Sequence, residues 1–328
     1  MNHWYSLVDV RMDLNLQHQA TVVKHTGSHY LLSALPEWNL FPAVLKGRMR
    51  LKGGGSTNPV AVGDIVVYEL QGDSQVVDSE HPAVITEVLP RKNYLIRKST
   101  NLSRQSHIIA ANVDRAFIVV TIDFPEVKLP FVDRLLVTAQ AYGVPSIIVL
   151  NKMDLFRNDP RVEAFRNIYE NAGYPVMEVS AMDGGGVDEL RKLCSEGISI
   201  FSGASGVGKS SLIKALDTSL DPKVGEISDV HLQGRHTTTF YEMYPLSNGG
   251  FIVDTPGIRG FGLVEVDREE IALYFPEMLK LSGECRFSPC THTHEPGCAV
   301  KKGVEEGKIS FERYSSYLGM LDEETKYR

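Results

Sequence analysis

Along the first 108 residues the apolar positions come in short runs without helical spacing. ATVVK (20–24), HYLLSAL (29–35), DIVVYEL (64–70) and AVITEVL (83–89) are separated by Gly, Asn, Asp and Pro. Runs of this length, rich in β-branched residues and bounded by turn formers, predict strands. Together they predict a small β-barrel over residues 1–108. LKGGGSTNP (51–59) holds nothing that could pack a core and predicts a loop between strands.

From residue 112 the rhythm changes. RAFIVVTI (115–122), PSIIVLN (145–151), YPVMEVSA (174–181), ISIFSG (198–203) and FIVDTPG (251–257) are continuous apolar runs that predict buried strands. Between them stand amphipathic stretches: LPFVDRLLVTAQAYG (129–143), RVEAFRNIYENAG (161–173), GVDELRKLC (186–194) and GKSSLIKAL (208–216). This alternation predicts a mostly parallel sheet covered by helices, over residues 109–263. After about residue 264 the chain turns helical and polar, and KISFERYSSYLGMLDEE (308–324) predicts a closing amphipathic helix. The expected division is therefore 1–108, 109–263 and 264–328.

The chain of 328 residues, 43% hydrophobic and 23% charged, has the balance of an ordinary globular protein of two or three domains. No apolar run approaches the roughly 18 residues needed to cross a bilayer. The start, MNHWYSLVDV, lacks a basic segment followed by an apolar one, so the expected compartment is the cytoplasm. The net charge of −7 argues against a general nucleic-acid coat, but its distribution is uneven. Residues 1–110 carry 11 Lys/Arg against 9 Asp/Glu, a net of +2. Residues 111–263 carry 14 against 19, and residues 264–328 carry 9 against 13. A surface for a polyanion is expected in the N-terminal part.

GASGVGKSS (203–211) fits Gly-x-x-x-x-Gly-Lys-Ser between a strand and a helix. Gly203, Ala204, Ser205, Gly206, Val207 and Gly208 would surround phosphate oxygens with backbone N–H groups, aided by the positive end of the helix that follows. Lys209 would reach the β- and γ-phosphates, with Ser210 offering its hydroxyl to Mg²⁺ and Ser211 completing the motif. NKMD (Asn151, Lys152, Met153, Asp154) directly follows a strand, at the edge where α/β sheets bind ligands. Asp154 would accept from the guanine ring N–H and amine, while Asn151 and Lys152 hold the loop and cover the ring. Adenine offers an acceptor at that place, so the carboxylate selects GTP over ATP.

Ser180 and Ala181 resemble the loop that contacts the guanine O6. In DTPG, Asp254 is placed to hold Mg²⁺ through water and Gly257 to sense the γ-phosphate. RHTTTF (235–240) would supply a switch threonine, and Thr238 is chosen from three in a row. The chain order is base loop, Ser-Ala loop, phosphate loop, threonine, DTPG. This is a cyclic rotation of the usual order, and it predicts a circularly permuted GTPase domain, since termini of compact domains commonly lie close enough to be joined. Ile258, Arg259 and Gly260 stand where a Ras-like protein would place a water-orienting glutamine. His236 either takes that role or only shapes the switch loop.

Three of the four cysteines fall in CRFSPCTHTHEPGC, giving Cys285-x4-Cys290-x-His292-x5-Cys298. Three thiolates and an imidazole satisfy structural Zn²⁺, with His294 competing for the fourth place. The remaining Cys194 is isolated on a predicted helix.

IIAANVDRAFIV, NKMDL, GASGVGKSSLIKAL, GRHTTT, DTPGIRGFGL and CRFSPCTHTHEPGCAV resemble, in this order, the ribosome small-subunit-dependent GTPase A family, also called RsgA or YjeQ. The resemblance implies an N-terminal OB-fold β-barrel, a central circularly permuted α/β P-loop GTPase domain and a C-terminal helical zinc-binding module. It implies a GTP hydrolase that cycles GTP and GDP with Mg²⁺ and carries one structural Zn²⁺. It further implies binding to the small ribosomal subunit and its rRNA during late assembly, beside other assembly factors, with GTP turnover stimulated there. His292 is then the fourth zinc ligand, and His236 is similar to the histidine proposed to act in hydrolysis. No membrane partner is expected, and the protein is expected to work as a monomer.

Lys46, Arg48, Arg50 and Lys52 would share one side of an extended strand, and Tyr94 could stack on a base, so the barrel is where rRNA contact is expected. A competing reading is an RNA-binding module regulated by GTP with little useful hydrolysis.

Overall fold

The computed structural model describes residues 18–26, 29–47, 59–71, 77–98, 106–220, 242–254 and 266–326. Two compact units divide the chain. Residues 1–114, 191–200 and 219–257 form the first, and residues 115–190, 201–218 and 258–328 the second.

In the first unit five strands close on themselves. β1 (His18–Thr26) pairs antiparallel with β2 (His29–Ser33), and β2 with β3 (Phe41–Leu45). β4 (Ile65–Glu69) pairs antiparallel with β1 and with β5 (Ala83–Val88), and β5 runs parallel to β3. The ring β1-β2-β3-β5-β4-β1 is the five-stranded barrel of the OB-fold. Within the ring β1 serves two neighbours, and its register against β2 shifts between Val22 and Lys24; an irregularity of this kind bends a strand so that a small barrel can close. The period of two carries through to the interior. Phe41, Ala43 and Leu45 of β3 are buried, and Val22, Leu32, Val66 and Ile85 meet them.

The buried Asp64 accepts from Arg91 Nε at 2.6 Å, Arg91 Nη2 at 2.8 Å and the Ala61 N–H at 2.8 Å, so the charge is paired and hydrogen-bonded. Of the loop expected at 51–59 only Pro59 is among the described residues, and Arg48, Arg50 and Lys52 lie outside them.

β6 (Tyr94–Lys98) and β7 (Ser106–Ala111) form an antiparallel pair in the same unit. β12 (Glu242–Pro245) meets β1 at Lys24, whose ammonium lies 2.8 Å from the Glu242 carboxylate. β13 (Phe251–Asp254) pairs antiparallel with β12 and parallel with Ile198–Ile200 of β11 (Ile198–Ser202).

In the second unit β8 (Arg115–Val120), β9 (Ser146–Leu150) and β10 (Val176–Glu178) run parallel, in the order β10-β9-β8-β11. All five residues of β11 and five of the six in β8 are buried, as expected of strands covered on both faces. The covering helices are α1 (Leu129–Ala141), α2 (Met153–Phe156), α3 (Pro160–Asn171), α4 (Val187–Leu193) and α5 (Lys209–Leu216). α3 begins where the sequence dictates: Asp159 accepts from the Arg161 N–H at 2.9 Å, and Pro160 needs no donor there. α1 stops before Gly143, which has φ +69°.

A 3-10 helix (Arg268–Tyr274) then leads into α6 (Pro276–Ser282), α7 (Ala299–Glu305) and α8 (Phe311–Lys326). Ile271, Phe275, Met278, Val300, Tyr317 and Met320 form the core of this helical module, and Val137 of α1 packs into it.

Candidate nucleotide and metal sites

In the second unit the chain turns between Ser202 at the end of β11 and Lys209 at the start of α5. The turn demands glycine. Gly208 has φ +94°, and a Cβ there would lie 2.5 Å from Asn151 Nδ2. A Cβ on Gly203 would stand 2.2 Å from the Val119 carbonyl oxygen. Val207 is buried and anchors the loop, Ala204 is half-buried, and Ser205, Gly206, Ser210 and Ser211 are exposed. The Lys209 ammonium donates to the carbonyls of Gly203 at 2.9 Å and Ala204 at 2.8 Å, which holds it at the loop. A loop of this form at a helix start can receive phosphate.

Asn151 follows β9 and is 1% exposed. Its Nδ2 donates to the Val207 carbonyl at 2.8 Å, and its Oδ1 accepts from the Ala181 N–H at 3.3 Å. One amide thus ties together the base loop, the phosphate loop and the Ser180–Ala181 loop. Lys152 takes a left-handed φ of +65°, and its ammonium donates to the Gly206 carbonyl at 2.9 Å and to that of Phe124. Met153 is buried, its N–H donating to the Val179 carbonyl at 3.2 Å. Asp154 is exposed, while the buried Ser180 donates its hydroxyl to Asp154 Oδ1 at 2.7 Å. A carboxylate fixed in this way offers acceptors that suit the N1–H and 2-amino group of guanine, where adenine has a bare ring nitrogen and a C–H.

His236, Thr238 and Gly257 lie outside the described residues. Asp254 closes β13, where its backbone pairs with Glu242. Sequence reasoning missed Phe124 and Pro125. The Pro125 ring would sit 3.4 Å from a Cβ at Gly206, and the Thr121 hydroxyl donates to the Pro125 carbonyl at 2.6 Å. Phe124 is exposed and stacks over Phe156 at 6.4 Å. No motif marks this segment; a proline just after a strand is the one local sign.

Cys285, Cys290, His292 and Cys298 bring their ligand atoms within 4.8 Å of one another. Tetrahedral zinc, with bonds of about 2.3 Å to sulfur and 2.0 Å to nitrogen, puts sulfurs about 3.8 Å apart and sulfur and nitrogen about 3.5 Å apart. The Cys285 and Cys298 sulfurs are 3.9 Å apart, and His292 Nδ1 lies 3.6 and 3.4 Å from them. These residues fit Zn²⁺. The cysteines are free thiols, and the sulfur spacing is far above a disulfide bond of about 2.05 Å. His294 instead lies 2.9 Å from the Thr293 hydroxyl.

Burial, then the neighbouring Cys298 and Cys285, push the Cys290 thiol up to about 12. The loop is held from outside the ligand set. Tyr314 and Tyr317 of α8 donate their hydroxyls to the carbonyls of His292 and Thr291, each at 2.7 Å. Against burial that would raise it, hydrogen bonds from Thr291 and Thr293 bring Glu295 down to about 2.

Known proteins are similar to this chain. A family model described as RsgA GTPase matches residues 88–264. The small ribosomal subunit biogenesis GTPase RsgA 2 of Bacteroides thetaiotaomicron is 48% identical over 94% of this chain and 98% of its own. The small ribosomal subunit biogenesis GTPase RsgA of Flavobacterium psychrophilum is 47% identical over 93% of each chain. Among solved structures, YjeQ from Thermotoga maritima has a TM-score of 0.73 and 32% identity, covering 94% of this chain and 98% of that one. YloQ, described as a circularly permuted GTPase, also has a TM-score of 0.73, with 26% identity over 97% and 99%. With the phosphate loop, the base loop and the permuted strand order in place, the chain belongs to the RsgA GTPase family and is a GTP hydrolase on a circularly permuted fold.

Proposed function

We propose that this GTPase binds the small ribosomal subunit through its rRNA, hydrolyses GTP there late in the subunit's maturation and then leaves. The relatives' names speak of small ribosomal subunit biogenesis. Within this chain the supporting observation is the Asn151 amide, which braces the base-reading and phosphate loops against each other. Asn151 to Asp154, Ser180, Ala181 and Gly203 to Ser211 are the proposed contacts to GTP and GDP. Ser210 and Thr238 would hold Mg²⁺, with Asp254 reaching it through water, and the Gly257 N–H would sense the γ-phosphate. Mg²⁺ supplies neutralisation of phosphate charge. His236 would orient the attacking water.

Cys285, Cys290, His292 and Cys298 would hold one structural Zn²⁺, whose contribution is folding energy for the small helical module. The chain divides by function at 1–108 for rRNA, 109–263 for the nucleotide and 264–328 for the zinc module. Other assembly factors are expected beside it on the subunit. It would act as a monomer in the cytoplasm; among the described residues no helix is long and apolar enough to cross a membrane.

The test is phosphate release from GTP and from ATP, with and without purified small subunits. Stimulation confined to GTP with subunits is the expected result, and His236→Ala should lower it by about 10²- to 10⁴-fold. Equal slow turnover in every mixture would favour a GTP-regulated RNA-binding module, a reading that the Ile258-Arg259-Gly260 sequence also suits.

A further inference from the structure

Arg313 of α8 is among the largest wholly buried side chains of the described residues, at 1% exposure. Its Nη1 donates to Asp133 Oδ1 on α1 at 2.7 Å, and its Nε and Nη2 donate to the two Glu277 oxygens on α6 at 2.7 and 3.1 Å. The guanidinium carbon lies 4.5 Å from the centre of the Phe275 ring. A buried ion cluster is a costly way to join helices, since apolar side chains of the same volume often serve as well or better. The planar fork of arginine does fix direction, because each N–H has one line of approach.

Both ends of this joint lead to a proposed functional loop. α1 continues from the segment in which Phe124 accepts from Lys152 and Pro125 faces Gly206 of the phosphate loop. The next residue after Arg313 is Tyr314, which holds the His292 carbonyl, and Tyr317 holds that of Thr291 one turn further on. A cavity of about 470 Å³ lies between the 121–130 segment, α3 and the start of α8, walled by Ile122, Val127, Pro130, Phe165 and Phe311. The start of α8 therefore lacks close packing on that side, and there the Asp133–Arg313 bond ties it to α1, beyond the apolar contact that Val137 makes further along.

Resting on the nucleotide-site reading above, we propose that Arg313 is a positioning residue for the nucleotide loops. It holds α1 against the Cys₃His module, so that metal occupancy at one end sets nucleotide affinity at the other. Linkage makes the effect reciprocal: zinc and GDP must change each other's affinity by the same factor.

The full-length protein would be titrated with a fluorescent GDP analogue, zinc-loaded and after zinc removal by a chelator. Zinc affinity would be measured by competition with a chromogenic chelator, with and without GDP. Zinc is expected to tighten GDP binding about fivefold or more, and GDP to tighten zinc equally. Arg313→Lys keeps the charge but loses the fork; the factor should fall to near one while each ligand still binds. If that variant does not fold, Tyr314→Phe, which loses one bond to the metal loop, must by itself reduce the factor.

GDP affinity indifferent to zinc in the unaltered protein, or an undiminished factor in every folded variant, overturns the proposal. Failure of the unaltered protein to bind the GDP analogue would instead overturn the nucleotide-site reading.

Discussion

Asn151→Ala separates a residue that braces loops from one that touches the base. The amide makes two bonds, to the Val207 carbonyl at 2.8 Å and the Ala181 N–H at 3.3 Å, from a position 1% exposed. Its removal strands both partners. A buried polar group left without a partner costs about 1–3 kcal/mol. The Val207 carbonyl, on a wholly buried residue, belongs near the upper end; the Ala181 N–H, half-buried and weakly bonded, belongs near the lower. The expected loss is about 2–4 kcal/mol, which at tenfold for each 1.4 kcal/mol is a roughly 30- to 700-fold rise in local opening.

Hydrogen exchange of the amides at 203–208 reads this directly, without requiring the whole chain to unfold in one step. Because the cradle itself loosens, affinity for GDP and for inorganic tripolyphosphate should fall together. Unchanged exchange at 203–208, with weaker GDP binding and unaltered tripolyphosphate binding, would refute the bracing argument and leave Asn151 only its contact with the base.

Three further outcomes are expected. Gly208→Ala forces a Cβ within 2.5 Å of Asn151 Nδ2 at φ +94°, so about 1–3 kcal/mol of strain should weaken GDP binding about fivefold or more; equilibrium titration with unchanged affinity would contradict the loop geometry. Asp154→Asn should reduce the preference for GDP over ADP by at least about 100-fold, and competition binding that keeps the original preference would remove Asp154 from base reading. Chelation of zinc, or Cys290→Ser, should raise hydrogen exchange over 285–305 while the barrel strands β1 to β5 keep their protection; retained protection over 285–305 would show that the module does not depend on its metal.

What the sequence revealed and what it hid follow from the range of each constraint. Phosphate and base recognition need fixed residue types a few positions apart, so residues 203–211 and 151–154 were legible without a fold. The buried strands were legible because both faces are covered, which turns β8 and β11 into continuous apolar runs. β12, only Glu242–Pro245, has no such run; it is one arm of a hairpin with β13 across the turn at 246–250, and its other neighbour, Lys24 of β1, is far away in the chain. β6 and β7 carry a register shift between Leu95 and Ile96 that breaks the period of two.

The Arg313 cluster joins residues 180 and 36 positions apart, a distance at which no local pattern exists. One sign was present nonetheless: Asp133 falls on the apolar face of α1 among Val132, Leu135 and Leu136, all buried. A charge at such a position needs a buried partner, and the sequence could not say which.

The permuted order changes the connections and leaves the nucleotide chemistry in place. Parallel strands present their following loops at one edge of the sheet, and adjacency there depends on strand order in space. The base loop after β9 and the phosphate loop after β11 flank β8, so Asn151 can reach Val207 whichever strand is synthesised first. Chain order decides instead what each strand continues into. β8, beside the phosphate loop, leads through Phe124 and Pro125 into α1, and α1 carries Asp133 to Arg313 of the last helix. Two mutations placed at opposite ends of this route, at Lys152 and at Tyr314, should therefore be non-additive in GDP affinity if the segment transmits, and additive if it only connects; a double-mutant cycle decides between them.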